Sequence, residues 1–163
     1  MNIKDRIVFE NRYLTLLTPL ILLSLLVGCG EKTDRTLAEV SKTQGAKCAL
    51  DFINGEKRTI VYSHKGQVEF SGWAVDSEHR TAPDVVKLVL THSNGDTFIV
   101  DGATRHKRPD VAKVYKQDGF MNAGFRVNTD MSAFEKGLYG VSVQMPSNNS
   151  VVVCTTKRIL SIN

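Results

Sequence analysis

Apolar residues beyond Cys48 recur mostly at every second position, which is the period of a half-buried β-strand. Cys48, Leu50 and Phe52 alternate in this way, and Asn54-Gly55 then supplies a turn. Further strands are predicted in VEFSGWAVD, VVKLVLTHSNGDTFIVDG, GFRVNTD, GLYGVSVQM and VVVCTTKRILSI. Because turn residues separate these short strands, the pattern predicts a mainly β fold, an antiparallel, immunoglobulin-like β-sandwich.

Two local signals refine this prediction. Asn94-Gly95-Asp96, between residues 85–92 and 97–100, is typical of a hairpin turn. The segment RPDVAKVYKQ departs from the two-residue period, because Pro109 and Asp110 are typical of a helix start. Val111, Val114 and Tyr115 would then share one face of the helix. The sequence therefore predicts one short helix inserted between strands.

The first 28 residues have the three parts of a signal sequence. A basic start runs through Arg12, residues 14–27 are mostly apolar, and Gly28-Cys29 follows. As a helix, residues 14–27 would span about 21 Å, which is short of the roughly 30 Å hydrocarbon core of a bilayer. Pro19 also interrupts the stretch. The pattern indicates a removable signal rather than a permanent membrane span.

Leu26-Val27-Gly28-Cys29 resembles the lipobox of bacterial lipoproteins. The resemblance implies a diacylglyceryl group on the Cys29 thiol, cleavage before Cys29, acyl chains that hold the protein on a membrane, and a place in the bacterial cell envelope. Inner-membrane lipoproteins often carry Asp after the cysteine, so Gly30 favours the outer membrane. There are two alternatives. The segment could be an ordinary secretory signal in which Cys29 is incidental, or it could be an uncleaved membrane anchor.

These observations divide the chain into a signal peptide at residues 1–28, a lipidated flexible tether at 29–47 and a β-sandwich domain at 48–163. The tether follows from GEKTDRTLAEVSKTQGAK, which is polar and lacks a strong apolar period. A flexible chain of that length reaches about 20 to 25 Å. This distance would hold the domain just off the lipid headgroups.

The chain contains three cysteines, an odd number for a secreted protein. Lipidation of Cys29 would leave Cys48 and Cys154 as a pair, and we predict a disulfide between them. Closing so long a loop stabilises a protein by up to about 4 to 5 kcal/mol in the chain-entropy model. Two separately buried thiols are the alternative.

A second resemblance covers nearly all of residues 48–163. Its motifs are Cys-Ala-Leu-Asp-Phe-Ile-Asn-Gly from Cys48, Gly-Trp-Ala-Val-Asp from Gly72, Arg-Pro-Asp-Val-Ala from Arg108, Ala123-Gly124-Phe125 and Gly137-Leu138-Tyr139. Together they resemble a β-sandwich module of bacterial exported and cell-envelope proteins. The resemblance implies the fold, the Cys48–Cys154 bond and a setting outside the cytoplasm, and it brings no catalytic residue.

Trp73 is the only tryptophan, and it is either a core anchor or part of a ligand-stacking surface. The run Arg105-His106-Lys107-Arg108 is the most basic in the domain. It is either a solvated loop or a patch for anions, phosphate or lipid headgroups. Trp73 and these four residues are the candidate ligand-binding residues. Asp76 is predicted to cap a turn through residue 83, and Asp110 to pair with Arg108.

Signals for catalysis are weak. His64, His79, His92 and His106 lack metal-ligand spacing, so no metal and no cofactor is expected. The chain has no Gly-x-Ser-x-Gly, Ser-x-x-Lys or phosphate-binding glycine loop. Carboxylates could converge across loops, such as Asp76 with Asp84 or Asp101 with Asp110, but fifteen carboxylates after the leader make accidental pairs common. We expect no enzyme.

The net charge gives little evidence for a nucleic-acid partner. It is +4, of which the leader contributes +1, and no concentrated basic face is evident. We therefore expect no nucleic-acid partner. The sequence predicts a lipid-anchored, non-catalytic envelope module that binds a glycan or a protein. The alternative is an inhibitor or accessory subunit of an envelope enzyme, with residues 77–83 or 102–108 as its protruding loop.

Overall fold

Ten strands, one helix and one 3-10 turn make up the part of the chain that the computed structural model describes, residues 40–42, 45–147 and 150–163. The strands are β1 (Val40–Lys42), β2 (Ala46–Ile53), β3 (Ile60–Ser63), β4 (Gln67–Asp76), β5 (Lys87–His92), β6 (Thr97–Val100), β7 (Thr104–His106), β8 (Gly124–Asp130), β9 (Gly137–Ser147) and β10 (Ser150–Ile162). The helix α1 is Pro109–Tyr115, and the 3-10 turn is Asp118–Phe120. The predicted mainly β class with one short helix is confirmed.

The strands form two sheets. Sheet A has the order β1-β10-β9-β5-β6, with β3 also paired to β10, and sheet B has the order β2-β4-β8-β7. Sheet B is antiparallel throughout. In sheet A, β1 and β3 both run parallel to β10, at residues 150–152 and 159–162. The expectation of a purely antiparallel fold is therefore wrong for these two pairs, because β3 enters sheet A from β2 of sheet B and is not joined to β10 by a hairpin.

Both sheets contribute to one apolar core. Sheet B supplies Val68, Phe70 and Phe125, and sheet A supplies Leu88, Leu90, Tyr139, Val141 and Leu160, all of which are buried. Bulges interrupt the alternation. In β2 the register shifts between Leu50 and Phe52, so Ile53 is fully buried while Phe52 is half-buried. The predicted alternation of Cys48, Leu50 and Phe52 therefore ends at the bulge.

A smaller core lies where α1 covers Val75 at the end of β4. Val75, Val111, Ala112, Phe120 and Ala123 form this cluster. The predicted helix and its start at Pro109 are confirmed, and Lys116 ends the helix in the left-handed conformation. Val114 does not share the buried face, because its side chain is 75% exposed. Ala112 takes that place, since residues 111, 112 and 115 lie together at 3.6 residues per turn.

The predicted turns are present. Asn54 and Gly55 both have positive φ, at 49° and 75°, and close a tight turn between Ile53 and Glu56. Residues 93–96 join β5 to β6, which confirms the predicted hairpin. The Asp76 carboxylate accepts hydrogen bonds from the backbone N–H groups of Glu78 and His79, which confirms its capping role.

The predicted disulfide is also present. Cys48 on β2 is bonded to Cys154 on β10, with 6.1 Å between their Cα atoms. The bond thus joins sheet B to sheet A across 106 residues of sequence. Residues 40–42, assigned from the sequence to the tether, form β1, so regular structure begins ahead of Cys48. The leader and Cys29 lie outside the described residues, and within those residues no helix is long and apolar enough to cross a membrane.

Candidate functional site

A groove of about 460 Å³ lies beside the disulfide. We call it the disulfide groove, and its lining is Cys48, Ala49, Leu50, Lys57, Thr59, Thr155, Thr156, Lys157 and Arg158. On one side is β2, the edge strand of sheet B. On the other side are residues 153–158 of β10, which lie between the stretches that pair with β1 and β3. The groove therefore separates two strand edges.

The charged residues of the disulfide groove are all basic: Lys57, Lys157 and Arg158. Arg158 is half-buried, and its Nε donates to the carbonyl oxygen of Leu50 at 3.0 Å while Nη2 donates to that of Asp51 at 3.2 Å. Lys57 lies over the Phe52 ring, with Nζ 5.0 Å from the ring centre. None of the ion pairs among the described residues involves these three cations.

The outer face of sheet A carries a second candidate surface, which we call the charge-free face. Strand register and burial place twelve uncharged residues on one contiguous part of the outer face: Ile60, Tyr62, Val89, Thr91, Thr97, Ile99, Leu138, Gly140, Ser142, Thr155, Ile159 and Ser161. Charge begins at its margins, where Lys87 of β5 pairs with Asp101 and where Lys157 and Arg158 follow Thr155 on β10. Tyr62 and Ile99 are each 59% exposed. Of six exposed large apolar side chains among the described residues, four lie here. Such a surface is unusual in a chain with 23% charged residues.

The outer face of sheet B brings together three of the residues singled out from the sequence. Trp73 and His106 are both paired with Gly124, so they flank it on one row of the sheet. The His106 ring lies against Gly124, where a Cβ atom would come within 2.5 Å of the ring. Trp73 is half-buried, with its ring centre 5.7 Å from that of Tyr115. It thus borders the smaller core and keeps part of its surface accessible.

Arg108 is held by two carboxylates. Nε and Nη2 donate to the two oxygens of Asp110 at 2.9 and 2.7 Å, and Nη1 donates to Asp51 at 2.6 Å. The hydrogen bonds with Asp110 and then Asp51 raise the pKa of Arg108, and those from Arg108 lower the pKa of Asp110 to about 2. The predicted pairing of Asp110 with Arg108 is confirmed. The guanidinium is therefore fixed in orientation and largely neutralised.

The other residues of the basic run differ from one another. Arg105 is half-buried and its Nη2 donates to the Asn122 carbonyl at 2.9 Å, while burial lowers its pKa. Its Nη1 is buried and makes no hydrogen bond with the described residues. His106 and Lys107 are exposed. Desolvation and then the charges of Arg108, Arg126 and Arg105 lower the pKa of His106, so this face has a positive potential.

Neither predicted protruding loop stands free of the sheets. In residues 77–83, Thr81 exchanges two backbone hydrogen bonds with Asp76, which ties the turn back to β4. In residues 102–108, Thr104–His106 forms β7 and pairs with β8. Both segments are thus held by backbone pairing rather than extended into solvent.

The described residues include both carboxylate pairs suggested by the sequence, Asp76 with Asp84 and Asp101 with Asp110. The described part of the chain holds no group of three or more His, Cys, Asp or Glu side chains that could bind a metal ion. Asp101 pairs with Lys87 at 3.1 Å. Asp76 lies 2.6 Å from His79 Nδ1, beside a groove of about 330 Å³ that Asp84 also lines. The hydrogen bond from His79 contributes to the lowered pKa of Asp76, although burial alone would raise it.

The sequence analysis missed the disulfide groove and the charge-free face because each is formed by strands that are far apart in the sequence. Lys57, Lys157 and Arg158 meet only because β2 and β10 lie side by side. No protein-family profile matches the chain, and no curated protein is similar to it. The geometry of these surfaces is therefore what supports a function.

Proposed function

We propose that this protein is a lipid-anchored, non-catalytic module of the bacterial cell envelope that binds a protein partner. In this proposal the two sheets form an immunoglobulin-like β-sandwich, and the partner contacts the charge-free face. The observation that carries the proposal is the contiguous group of twelve uncharged residues on that part of sheet A, four of which are large exposed apolar side chains. Interfaces between proteins have uncharged centres in which aromatic and apolar side chains are enriched.

The shape of the charge-free face favours a protein over a small molecule. Its side chains stand on the pleated surface of four adjacent strands together with β3, so they form a broad layer. Gly140 at its centre has no neighbouring side chain within 4 Å of where a Cβ would lie. A partner side chain could enter that gap. Small-molecule sites are more enclosed than this surface.

The proposed compartment rests on two features. The lipobox-like sequence ending at Cys29 supports attachment to lipid, and the Cys48–Cys154 bond suits an oxidising environment such as the periplasm. Gly30 after Cys29 supports the outer membrane over the inner membrane. The polar residues that follow Cys29 would then set the distance between lipid and domain.

A glycan bound to the outer face of sheet B is a second candidate function. Trp73 and His106 flank Gly124 there, and a groove of about 270 Å³ lies beside His106 and Arg108. Aromatic rings can stack on sugars, and a guanidinium fixed by two carboxylates has a defined orientation for a hydroxyl group. An inhibitor acting through a protruding loop has less support, since residues 77–83 and 102–108 are tied to the sheets.

In-cell photocrosslinking tests the protein-binding proposal. A photoreactive residue replaces Tyr62 or Ile99 on the charge-free face, and Val114, exposed on α1, serves as the matched apolar control. We expect one dominant protein adduct from Tyr62 and Ile99 and none from Val114. An adduct with a second copy of the chain would identify the partner as itself.

Equal adducts at all three positions, or none at Tyr62 and Ile99, would contradict the proposed surface. A further photoreactive variant at Trp73 tests the second candidate, and a glycan adduct there without a protein adduct at Tyr62 would favour it. Recovery of equal amounts of each variant from the membrane fraction is the control for folding and export.

A further inference from the structure

The disulfide groove lies beside a part of β10 that pairs with neither β1 nor β3. Along one side of β10, β1 pairs with residues 150–152 and β3 pairs with residues 159–162. The intervening residues 153–158 face β2 instead, and the groove of about 460 Å³ lies there. A stretch of six strand residues spans about 20 Å, which suits an extended ligand such as a di- or trisaccharide or a tripeptide.

The polar side chains around this groove are suited to donating hydrogen bonds. Lys57 and Lys157 are exposed, and neither has a carboxylate partner among the described residues. The hydroxyls of Thr59 and Thr155 make no hydrogen bond within the described part of the chain and are free to donate. An ammonium group has only donors, and a hydroxyl can donate or accept.

Arg158 keeps the two sides of the groove in place. Its Nε and Nη2 bind the carbonyl oxygens of Leu50 and Asp51, and the disulfide lies beside it. These contacts fix β2 against β10 before any ligand arrives, so little ordering would be required for binding. The guanidinium charge remains uncompensated by any carboxylate in the described residues.

From this arrangement we propose that the disulfide groove binds a short, linear anionic saccharide through carboxylate or phosphate groups. The oxygens of those groups accept hydrogen bonds from Lys57 and Lys157, and the hydroxyls of Thr59 and Thr155 contact the same chain. Anionic oxygens match this set because they are acceptors and carry the opposite charge, whereas a neutral sugar accepts the same hydrogen bonds without the attraction between opposite charges. The disulfide groove adjoins the charge-free face at Thr155, but its proposed ligand differs in kind from the proposed protein partner.

Binding is tested with detergent-solubilised full-length protein and three probes: trigalacturonate, tripolyphosphate and neutral maltotriose. Calorimetry gives affinity, and amide NMR shifts give location. We expect trigalacturonate to shift the signals of Thr59 and Lys157 and maltotriose to leave them unchanged. Tripolyphosphate distinguishes the anionic groups: its binding assigns the site to phosphate as well, and its failure restricts the site to carboxylates.

Paired variants make the test specific. Lys57→Gln with Lys157→Gln should weaken trigalacturonate binding about tenfold or more, because two of three charges are lost. Lys65→Gln with Lys113→Gln changes net charge equally at exposed positions and should leave the affinity unchanged. Lys57→Arg with Lys157→Arg keeps the charges and should retain binding. Added salt should weaken binding, since ions screen charges beyond about 10 Å at 0.1 M.

Three binding results would overturn the proposal, and so would a failure of every probe to bind. The three results are equal binding of maltotriose, equal weakening by the two glutamine pairs, and ligand-induced shifts confined to Gly124 and His106 on sheet B. The last outcome would instead support glycan binding at the outer face of sheet B. Failure of every probe to bind would reject the groove as an anion site and leave the charge-free face unaffected.

Discussion

Arg158 donates a 3.2 Å hydrogen bond from Nη2 to the carbonyl oxygen of Asp51, a residue 107 positions earlier in the chain. Each residue lies where its strand departs from regular pairing, since the register of β10 shifts between Thr155 and Ile159 and that of β2 between Leu50 and Phe52. A bulge leaves backbone groups without ladder partners. The side chain from one bulge therefore satisfies carbonyl groups of the other.

Replacement of Arg158 by Met should lower the free energy of unfolding by about 2 kcal/mol. The change leaves the carbonyls of Leu50 and Asp51 without their charged donor, and an unsatisfied partly buried acceptor costs about 1 to 3 kcal/mol. Urea unfolding measures the effect. Arg58→Met is the control, because Arg58 makes an exposed ion pair with Glu56 and its loss should cost less than about 1 kcal/mol. Equal costs would contradict the role assigned to Arg158.

The disulfide and Arg158 should be energetically coupled, since both join β2 to β10. Removal of the disulfide by Cys48→Ala and Cys154→Ala should cost up to about 4 to 5 kcal/mol. Combined with Arg158→Met, the total should differ from the sum by more than about 0.5 kcal/mol, which is the usual limit of additivity for distant sites. Additive costs would mean that the two links act independently.

Ionised Asp110 should stabilise the fold at pH values above its ordinary pKa, and this stabilisation should be lost in acid. The Arg108 hydrogen bonds lower its folded-state pKa from 3.8 to about 2, so the folded protein binds fewer protons than the unfolded chain between these values. The contribution is present above about pH 4 and is lost as the pH falls towards 2. Because the Asp110 side chain is 61% exposed, the contribution amounts to less than about 1 kcal/mol. Urea unfolding of wild type and Asp110→Asn should converge at low pH, and a constant difference would contradict this.

His106 should titrate below the ordinary histidine pKa of 6.5, and Arg126→Gln should raise that pKa. Removal of one nearby positive charge makes the imidazolium less unfavourable. NMR of the imidazole protons against pH measures both values. Lys113→Gln is the control, since Lys113 does not contribute to the shift of His106. If the pKa of His106 is unchanged in Arg126→Gln, the charge of Arg126 does not act on His106.

Cys29 should carry the lipid. Radiolabelled palmitate should label the wild-type protein in bacterial cells and should not label Cys29→Ala, because the thiol is the attachment point in the lipobox resemblance. Cys48→Ala with Cys154→Ala is the control and should still be labelled. Equal labelling of Cys29→Ala would contradict lipidation at this residue.

Local patterns predicted most of the secondary structure. Six strand-bearing segments, the α1 start at Pro109 and the Asp76 turn all follow from residues close in sequence. Strands β1 and β7 have three residues each, too few for a period to be evident. Strand β3 has four residues, as β6 does, but it lacks the Asn-Gly-Asp hairpin turn that marks β6 in the sequence. The parallel pairs with β10 were missed because their direction depends on how the chain passes between sheets.

Site residues were predicted less well for the same reason. The basic run at residues 105–108 was evident as a cluster, but the sequence does not reveal that Arg105 turns inward and that Asp51 joins Asp110 on Arg108. Tyr62, Ile99 and Leu138 come from three strands, so only the sheet register places them on one face. The cysteine pairing was predicted correctly because the sequence analysis assigned Cys29 to lipid, which left two thiols and one possible bond.

The position of β10 also governs when this domain can fold. β10 pairs with β1, β3 and β9 and holds the partner of Cys48, so a chain made from its amino end keeps those strands incomplete until residues 150–162 exist. Contacts this distant in sequence slow folding and leave strand edges open meanwhile. During that interval Cys48 can react only with thiols other than its native partner. The native disulfide and the pairing of β1, β3 and β9 with β10 therefore become possible only once that strand is present.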